Sequence, residues 1–217
     1  MKTKEKDFIE IDYIGKIKET GEIFDLTIEE EAKNLKVYNP KGEYKPLIIC
    51  LGKKHVVSGL DEQLIDKEIN KEYAIEVPHE KAFGSKNPKL MKIVSTNLFL
   101  KQKINPVPGL QVNLGNMIGT IRTVTGGRTI LDLNHPLAGK TLIYKVKINK
   151  IITDDKEKLE GFLKLHLGLK KINISIKEGT ATIDKEIPEE LSTRLEKEIK
   201  EVIPTIKHIK FKTTTKE

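Results

Sequence analysis

The sequence predicts an α+β protein in which an antiparallel sheet wraps around one helix. A small β-rich domain interrupts the sheet, and a small αββαβ domain follows it. Three observations predict this class. Alternating apolar residues mark strands at residues 8–18, 71–77 and 141–151, and a continuous apolar run marks a buried strand at 46–51. Between the last two strands lies a segment, residues 81–131, without a single acidic residue. After residues 153–156, two amphipathic helical patterns alternate with short apolar strands.

The main sheet has clear turn and helix signals between its strands. Glu19-Thr20-Gly21-Glu22 predicts a hairpin turn, and a return strand begins at Ile23. A buried strand at 46–51 is followed by a tight turn and a helix predicted over 60–69. Asp61 and Glu62 suit the first turn of that helix, because the helix dipole favours negative charge there.

The predicted insert is a β-rich domain over residues 85–131. Within it we expect a strand at 90–94, a turn at 95–97 and an apolar patch at 98–100. Two further strands, 111–123 and 128–132, are joined by a turn at Gly126-Gly127. The remaining parts, residues 1–84 and 132–152, form the discontinuous domain that carries the insert.

The C-terminal domain is predicted over residues 156–217. A helix over 156–167 ends at Gly168, and Pro188 begins a second helix with an apolar stripe. Strands are expected at 171–177, 181–183 and 206–212. A unit of about 60 residues buries little surface, so we expect it to pack on the rest of the chain or on a second copy. A homodimer through the edge strand 206–212 is therefore a hypothesis.

The charge distribution bounds the possible partners. The net charge is +7, and the 81–131 segment alone holds eight basic residues. This segment is either a solvated lysine-rich surface or a site for an anionic or mixed partner, such as unfolded polypeptide or RNA. No apolar run suits a membrane span or a secretory signal, so we expect a cytoplasmic protein. Heavy use of Lys, Glu and Ile resembles thermophile composition, and a bias in nucleotide composition would explain it equally.

Five short motifs occur in a fixed order: Asp12-Tyr13-Ile14-Gly15, Ile23-Phe24-Asp25, the run from Leu51 to Glu62, Ala82-Phe83-Gly84, and Asn134-His135-Pro136-Leu137-Ala138-Gly139. Their order and spacing resemble the FKBP-type peptidyl-prolyl isomerases. The last motif resembles the SlyD-like branch, in which a chaperone domain is inserted in the flap. The extra C-terminal domain resembles the archaeal long type of that branch.

The resemblance implies a prolyl isomerase pocket that needs no cofactor. Its catalytic candidates are Tyr13, Phe24, Asp25, Leu47, Ile49, Val56, Val57, Leu60, Phe83 and Tyr144. The N–H of Val57 is the expected donor to a substrate carbonyl. Core packing alone would explain Tyr13, Phe24 and Tyr144 taken singly, and Asp25 could be a turn residue. Leu60 stands where well-known members have Trp, which favours a smaller pocket.

The same resemblance assigns unfolded or nascent polypeptides with Xaa-Pro bonds as substrates. In the insert, the expected contacts are Leu98, Phe99, Leu110, Met117 and Val124, unless these residues fill the insert's own core. Two other functions stay open. One is a chaperone or ribosome-associated binding protein with a vestigial pocket, and the other is RNA binding through the basic insert.

Metal and thiol chemistry are not expected. The chain lacks the His- and Cys-rich tail of some relatives, so we expect no metal site. His135 is expected to be a structural histidine bonded to the backbone. Cys50, the single cysteine, lies in an apolar strand and is expected to be a buried structural thiol.

Overall fold

The computed structural model describes residues 1–115, 117–168 and 172–212. In chain order its strands are β1 (Phe8–Ile17), β2 (Ile23–Leu26), β3 (Leu47–Cys50), β4 (Glu72–Val77), β5 (Met91–Ser95), β6 (Gln111–Leu114), β7 (Met117–Thr125), β8 (Arg128–Asp132), β9 (Leu142–Ile152), β10 (Ile174–Lys177), β11 (Thr180–Glu186) and β12 (His208–Lys212). Its helices are α1 (Glu29–Asn34), α2 (Ser58–Gln63), α3 (Thr96–Lys101), α4 (Asp155–Leu167) and α5 (Glu189–Val202).

The predicted α+β class is confirmed, because helices and largely antiparallel sheets occur together. The chain forms two compact units. The first combines Met1–Val77 with Leu142–Glu217, and the second is Pro78–Thr141, called the insert unit below. The predicted insert, 85–131, falls within the insert unit. Among the described residues, no helix is long and apolar enough to cross a membrane.

The main sheet of the first unit is antiparallel and centres on β1. Its strand order is β2-β1-β9-β4, and β3 pairs with the first half of β1 while β2 pairs with the second half. Side chains of a strand alternate between the two faces. Ile11, Tyr13 and Ile17 therefore share one buried face of β1, and they lie opposite Ile148, Val146 and Leu142 of β9.

Helix α2 covers this sheet from the side of β4, and its Leu60 is fully buried. The predicted helix over 60–69 is wrong beyond Gln63. Asp66 and Asn70 adopt left-handed backbone angles, with φ of 62° and 60°, which end an α-helix. Their N–H groups donate to Thr3 O and Ile148 O, so tertiary hydrogen bonds replace helical ones there.

The C-terminal residues pack on the other face of the same sheet. They follow the order α4, β10, β11, α5, β12, and β12 runs parallel to β11. Phe8, Cys50 and Ile152 of the main sheet belong to one buried cluster with Phe162 of α4 and Leu195 of α5. This core is continuous across both parts of the first unit.

The insert unit is a four-stranded antiparallel sheet with the order β5-β8-β7-β6. Its core consists of Phe99, Val112, Ile121 and Leu131. Two predictions were wrong here. No turn forms at 95–97, because Ser95 ends β5 and Thr96 begins α3. The apolar residues predicted at 98–100 lie on α3, with Phe99 in the core and Leu98 and Leu100 exposed. The strand predicted at 111–123 is the hairpin β6–β7, which turns next to Gly115, a residue with φ of +62°.

Candidate active site

Three aromatic side chains meet on the inner face of the main sheet. Tyr13 of β1 and Tyr144 of β9 have ring centroids 5.8 Å apart, at an interplanar angle of 63°. Phe24 of β2 lies 5.7 Å from Tyr144 at 87°. Edge-to-face contacts of this kind are favourable and restrict the ring positions. We call these three residues the aromatic cluster.

Gly15 allows the aromatic cluster to form. It faces both Asp25 of β2 and Tyr144 of β9 in the sheet register. A Cβ atom at this position would lie 2.5 Å from the ring of Phe24. That distance is far below van der Waals contact, so only glycine lets the Phe24 ring rest on the backbone of β1. The sequence therefore encodes the position of Phe24 in two separate motifs.

Tyr13 is anchored by a carboxylate at the edge of the cluster. Its hydroxyl donates to Asp25 Oδ2 at 2.5 Å, and Tyr13 is buried while Asp25 is exposed. Burial, followed by the charge of Asp25, raises the pKa of Tyr13 well above its usual range. The same two causes raise the pKa of Tyr144 to about 12. Both phenols therefore stay neutral at physiological pH and supply apolar surface and hydroxyl groups.

Val56 and Val57 end the connection from β3 to α2, and both are half-buried. The carbonyl of Val57 accepts hydrogen bonds from Leu60 N at 2.9 Å and Asp61 N at 3.1 Å. Within the described part of the chain, no acceptor pairs with the N–H of Val57. This donor is therefore free to bind a ligand carbonyl.

The residues before Val57 are held by a buried carboxylate. Asp61 Oδ1 accepts from Gly52 N at 3.1 Å, and Oδ2 accepts from Lys54 N at 2.9 Å. We call residues 52–57 the valine loop. Sequence reasoning assigned Asp61 to the helix dipole and missed this role. The sequence did carry a signal for this role. Leu60 and Leu64 are apolar and one helical turn apart, and Asp61 directly follows Leu60, next to the face that is buried.

The remaining predicted pocket residues of the first unit lie on strands or helices that face inward. Ile49 and Leu60 are fully buried, and Leu47 is half-buried. Leu47 and Ile49 alternate with Ile48 and Cys50, which pack against the C-terminal core instead.

Phe83 belongs to the insert unit and not to the main sheet. Its ring stacks on His135, with centroids 4.2 Å apart and an interplanar angle of 2°. His135 Nδ1 accepts from Leu137 N at 3.2 Å, so the expectation of a backbone-bonded histidine is confirmed.

Asp132 organises the two chain segments at the base of the insert unit. The buried carboxylate binds Lys86 at 3.2 Å, Arg122 at 2.9 Å and the side chain of Asn134 at 2.8 Å. Burial raises its pKa, but the hydrogen bonds from Asn134, Lys86 and Arg122 outweigh burial and hold the pKa well below its usual range. Asn134 also accepts from Asn87 N at 2.7 Å. The signature asparagine thus joins both segments.

The five expected insert contacts fall into two groups. Leu98 and Met117 are more than half exposed. Phe99 is buried in the core, and Leu110 and Val124 pack against it, so these three serve the fold of the insert unit. Leu114, also named from the sequence among the apolar residues of the insert, is exposed as well. Sequence reasoning missed other exposed apolar side chains, which lie on β5, on α3, in the connection from α3 to β6 or on β7: Met91, Ile93, Leu100, Val107 and Ile118.

Metal ligands do not cluster in the described residues, where no group of three or more His, Cys, Asp or Glu could hold an ion. Cys50 is fully buried and free, and burial raises the pKa of its thiol to about 11. A thiol that stays protonated and covered is a poor nucleophile. The expectation of a buried structural thiol is confirmed.

A cleft adjoins the aromatic cluster on the side of β2. Its volume is about 300 Å³, and Phe24 and Asp25 form one wall while Val37 and Tyr44 contribute to the other. The rings of Tyr38 and Tyr44 stack at 5.5 Å and stabilise that second wall. The arrangement offers an apolar surface, a carboxylate and open space beside them.

Comparisons with known proteins agree on one family. Residues 92–137 match the family described as "FKBP26, IF domain". A short-type peptidyl-prolyl cis-trans isomerase of Methanocaldococcus jannaschii is 30% identical over 154 residues, which cover 71% of this chain and 97% of that protein. The SlyD isomerase of Aeromonas hydrophila is 27% identical over 143 residues, covering 65% of this chain and 61% of that protein.

Two more distant likenesses complete the comparison. The FKBP-type 16 kDa isomerase of Escherichia coli K12 is 25% identical over 111 residues, which cover 49% of this chain and 74% of that protein. A crystal structure of the three FKBP domains of wheat FKBP73 covers 71% of this chain and 42% of that chain. Its sequence identity of 14% and TM-score of 0.38 are too low to bear on the site.

Proposed function

The chain belongs to the FKBP-type peptidyl-prolyl cis-trans isomerases, and on that premise we propose that it isomerises Xaa-Pro bonds in unfolded polypeptides that its insert unit holds. The isomerase activity follows from relatives that carry this name and are up to 30% identical to the chain. The observation that carries the catalytic part of the proposal is the buried aromatic cluster with its anchoring carboxylate.

The reaction requires a surface more than it requires reactive groups. Rotation about a prolyl amide faces a barrier of about 18–20 kcal/mol, because the planar amide is stabilised by resonance. The twisted transition state has lost that resonance and is less polar, so an apolar pocket favours it over the planar amide. Each 1.4 kcal/mol removed from the barrier raises the rate about tenfold. Tyr13, Phe24 and Tyr144 supply such a surface without any acid or base.

A second contribution is a donor that fixes the substrate during rotation. The N–H of Val57 is unpaired in the described part of the chain, and its half-buried side chain adds apolar surface. A backbone donor held in position stabilises one carbonyl orientation at little reorganisation cost. We expect the buried Leu60 to form an aliphatic floor of the pocket, which suits binding of the small proline ring.

The insert unit has the properties of a surface that captures unfolded chains. Its exposed apolar side chains, including Ile93, Leu98, Met117 and Ile118, lie in a unit with nine basic residues and two acidic ones. The outer strands β5 and β6 leave backbone groups for pairing with an extended peptide. Met side chains adapt to varied partners.

The two activities are joined by covalent linkage. The insert unit is connected to the main sheet at both of its ends, through β4 and β9. A polypeptide held by the insert unit is therefore present at a high effective concentration near the isomerase on the same chain. Capture raises the rate for long unfolded substrates and leaves short peptides unaffected.

The test compares two substrates on three proteins. The insert variant replaces Ile93, Leu98 and Met117 with Ser, and the control variant replaces the exposed Lys89, Lys92 and Lys101 with Ser. We expect all three proteins to isomerise a short Xaa-Pro peptide equally. In a refolding reaction limited by proline isomerisation, we expect the insert variant to lose about tenfold in efficiency while the lysine variant keeps most of it.

Other results would point to other functions. No acceleration of the peptide by the unchanged protein would mean a vestigial pocket and would leave binding as the main function. A loss confined to the lysine variant, with binding that falls steeply as salt rises, would favour an anionic partner such as RNA.

A further inference from the structure

The valine loop is contacted by the C-terminal part of the chain as well as by Asp61. His55, which directly precedes Val56, has its ring centroid 5.6 Å from Phe162 and 5.3 Å from His166, both on α4. The interplanar angles are 61° and 78°, so both contacts are edge-to-face. His55 of the valine loop thus packs edge-on against two neighbouring rings of α4.

These two rings are themselves fixed. Phe162 and His166 stack at 4.0 Å with an interplanar angle of 19°, and His166 Nδ1 lies 2.9 Å from Phe162 O. His166 Nε2 lies 3.6 Å from a carboxylate oxygen of Glu198 on α5. Lys53 of the valine loop forms an ion pair with Glu201, also on α5. Both long helices of the C-terminal part therefore contact the loop or its immediate support.

His55 also ties the loop to the main sheet. Its Nδ1 accepts a hydrogen bond from Cys50 N, at the end of β3, with a length of 3.1 Å. Helix α4 lies close to β3. A Cβ atom at Gly161 of α4 would be only 2.5 Å from the side chain of Ile48 on β3. Groups packed this closely cannot shift independently of one another. A movement of α4 is therefore expected to displace both β3 and His55.

We propose that α4 and α5 position the valine loop, and that His55 and His166 are positioning residues for the N–H donor of Val57. The consequence for the reaction rests on the proposed isomerase function, whereas the mechanical coupling does not. The loop has room to move if this support is lost, because a cleft of about 230 Å³ lies between it and the two helices. In the described part of the chain, the hydrogen bonds of the Asp61 carboxylate hold Gly52 and Lys54, and neither involves His55.

The experiment measures the loop and the reaction separately in the full-length protein. The variants are His166→Ala, His55→Ala and His55→Asn, with His208→Ala as the matched control, because His208 lies exposed on β12 of the same C-terminal part. Amide hydrogen exchange of residues 52–57 reports loop motion. Steady-state kinetics on a short Xaa-Pro peptide report kcat and KM.

We expect His166→Ala to speed exchange in the valine loop by about three- to tenfold, the effect of losing one aromatic contact. The same variant is expected to lower kcat by a similar factor with little change in KM, because the donor acts mainly on the twisted amide. His55→Asn keeps an acceptor at the place of Nδ1, so it should recover part of what His55→Ala loses. His208→Ala should match the unchanged protein.

Loop exchange in His166→Ala and His55→Ala equal to that of His208→Ala would overturn the inference. Faster exchange with unchanged kcat would overturn its catalytic part. An unchanged protein that does not isomerise the peptide would contradict the proposed function instead, and the exchange measurement would still decide whether the helices position the loop.

Discussion

The aromatic cluster and the surface of the insert unit use apolar side chains in opposite ways. In the cluster, rings are locked by edge contacts, by Gly15 and by a hydrogen bond to Asp25. On the insert unit, Ile93, Leu98 and Met117 project into solvent without such restraint. The difference supports the proposed division of labour, because transition-state stabilisation needs fixed surfaces and capture of varied chains needs adaptable ones.

The electrostatics of the two regions differ as well. The carboxylate that anchors the aromatic cluster, Asp25, is exposed and accepts a hydrogen bond from the neutral Tyr13. The carboxylate of the insert unit, Asp132, is buried and binds two cations and an amide. A buried charge network of this kind is costly to disturb, whereas an exposed carboxylate is easily rehydrated. Predictions that separate the regions therefore begin with Asp132.

Asp132→Asn is expected to give the largest effect. Lys86 and Arg122 would lose their charged partner, and we expect the insert unit to lose about 3 kcal/mol of unfolding free energy. Capture of unfolded protein should fall with it, whereas kcat/KM for a short peptide should not change. Denaturant unfolding followed by NMR signals of each unit measures both effects. Glu80→Gln, at the only other acidic residue of this unit, is the control.

Asp132 also makes the stability of the insert unit depend on pH under acidic conditions. Because the folded-state pKa of Asp132 lies below its ordinary value of 3.8, its contribution to stability is present above that pH and is lost as the pH falls further. If both units of the Asp132→Asn variant lose stability equally, the two units do not unfold separately.

Val57→Pro should damage the pocket without damaging the insert. Val57 has φ of −56°, which suits proline, and its N–H has no acceptor among the described residues. Removing that donor is expected to lower kcat/KM for the peptide by about 10- to 100-fold while binding of unfolded protein stays unchanged. Val57→Ala keeps the N–H and should lose far less. Equal losses in both variants would assign the effect to the side chain.

The sequence predicted the strands of the main sheet better than it predicted the insert. Period-2 alternation marks β9, and its burial repeats it over most of its length. The alternation in the sequence also marked β1, although this central strand is buried on both faces at residues 8–9 and 13–15. Residues 95–100 carry weaker signals, because a helix of six residues with one buried position has almost no periodic pattern. The hairpin β6–β7 was missed although Gly115 follows β6 directly, because the apolar residues Leu114 and Met117 on either side suggested one continuous strand.

Contacts between distant segments account for what could not be predicted at the site. The motifs named Tyr13, Phe24 and Tyr144, but nothing in them shows that Gly15 supports the Phe24 ring. Asp61 suits a helix start, and its bonds to Gly52 and Lys54 depend on how the loop folds back. The rings of Phe162 and His166 lie more than a hundred residues from His55, so no local pattern joins them.

Mild acid is expected to lower the free energy of unfolding through His55, by less than the Asp132→Asn substitution does. Burial, then the charges of His166 and Lys53, lower the pKa of His55 to about 4. The folded state therefore binds its proton less readily than the unfolded state, whose ordinary value is 6.5. Stability is present above pH 6.5 and is lost as the pH falls towards 4.

The loss should reach about 2 kcal/mol, discounted from the full shift because the imidazole is only partly buried. Thermal unfolding across this range measures it, and His55→Asn should show a flatter profile. Glu198 and Glu201 line the same cleft and His166 faces His55, so His166→Ala is needed alongside. A profile that flattens only in His166→Ala would assign the titration to His166.

Tyr13→Phe is expected to give the smallest effect and to define the chemistry of the pocket. It removes one hydrogen bond to an exposed carboxylate, which costs about 1 kcal/mol because Asp25 regains water. The ring contact with Tyr144 is kept, so kcat/KM should fall only about two- to fivefold. Asp25→Asn, which keeps an acceptor for the hydroxyl, should lose less, and the double variant should cost no more than Tyr13→Phe alone. A fall of a hundredfold would instead mean that the Tyr13 hydroxyl bonds the rotating amide directly, and the cluster would then be a hydrogen-bonding site and not only an apolar surface.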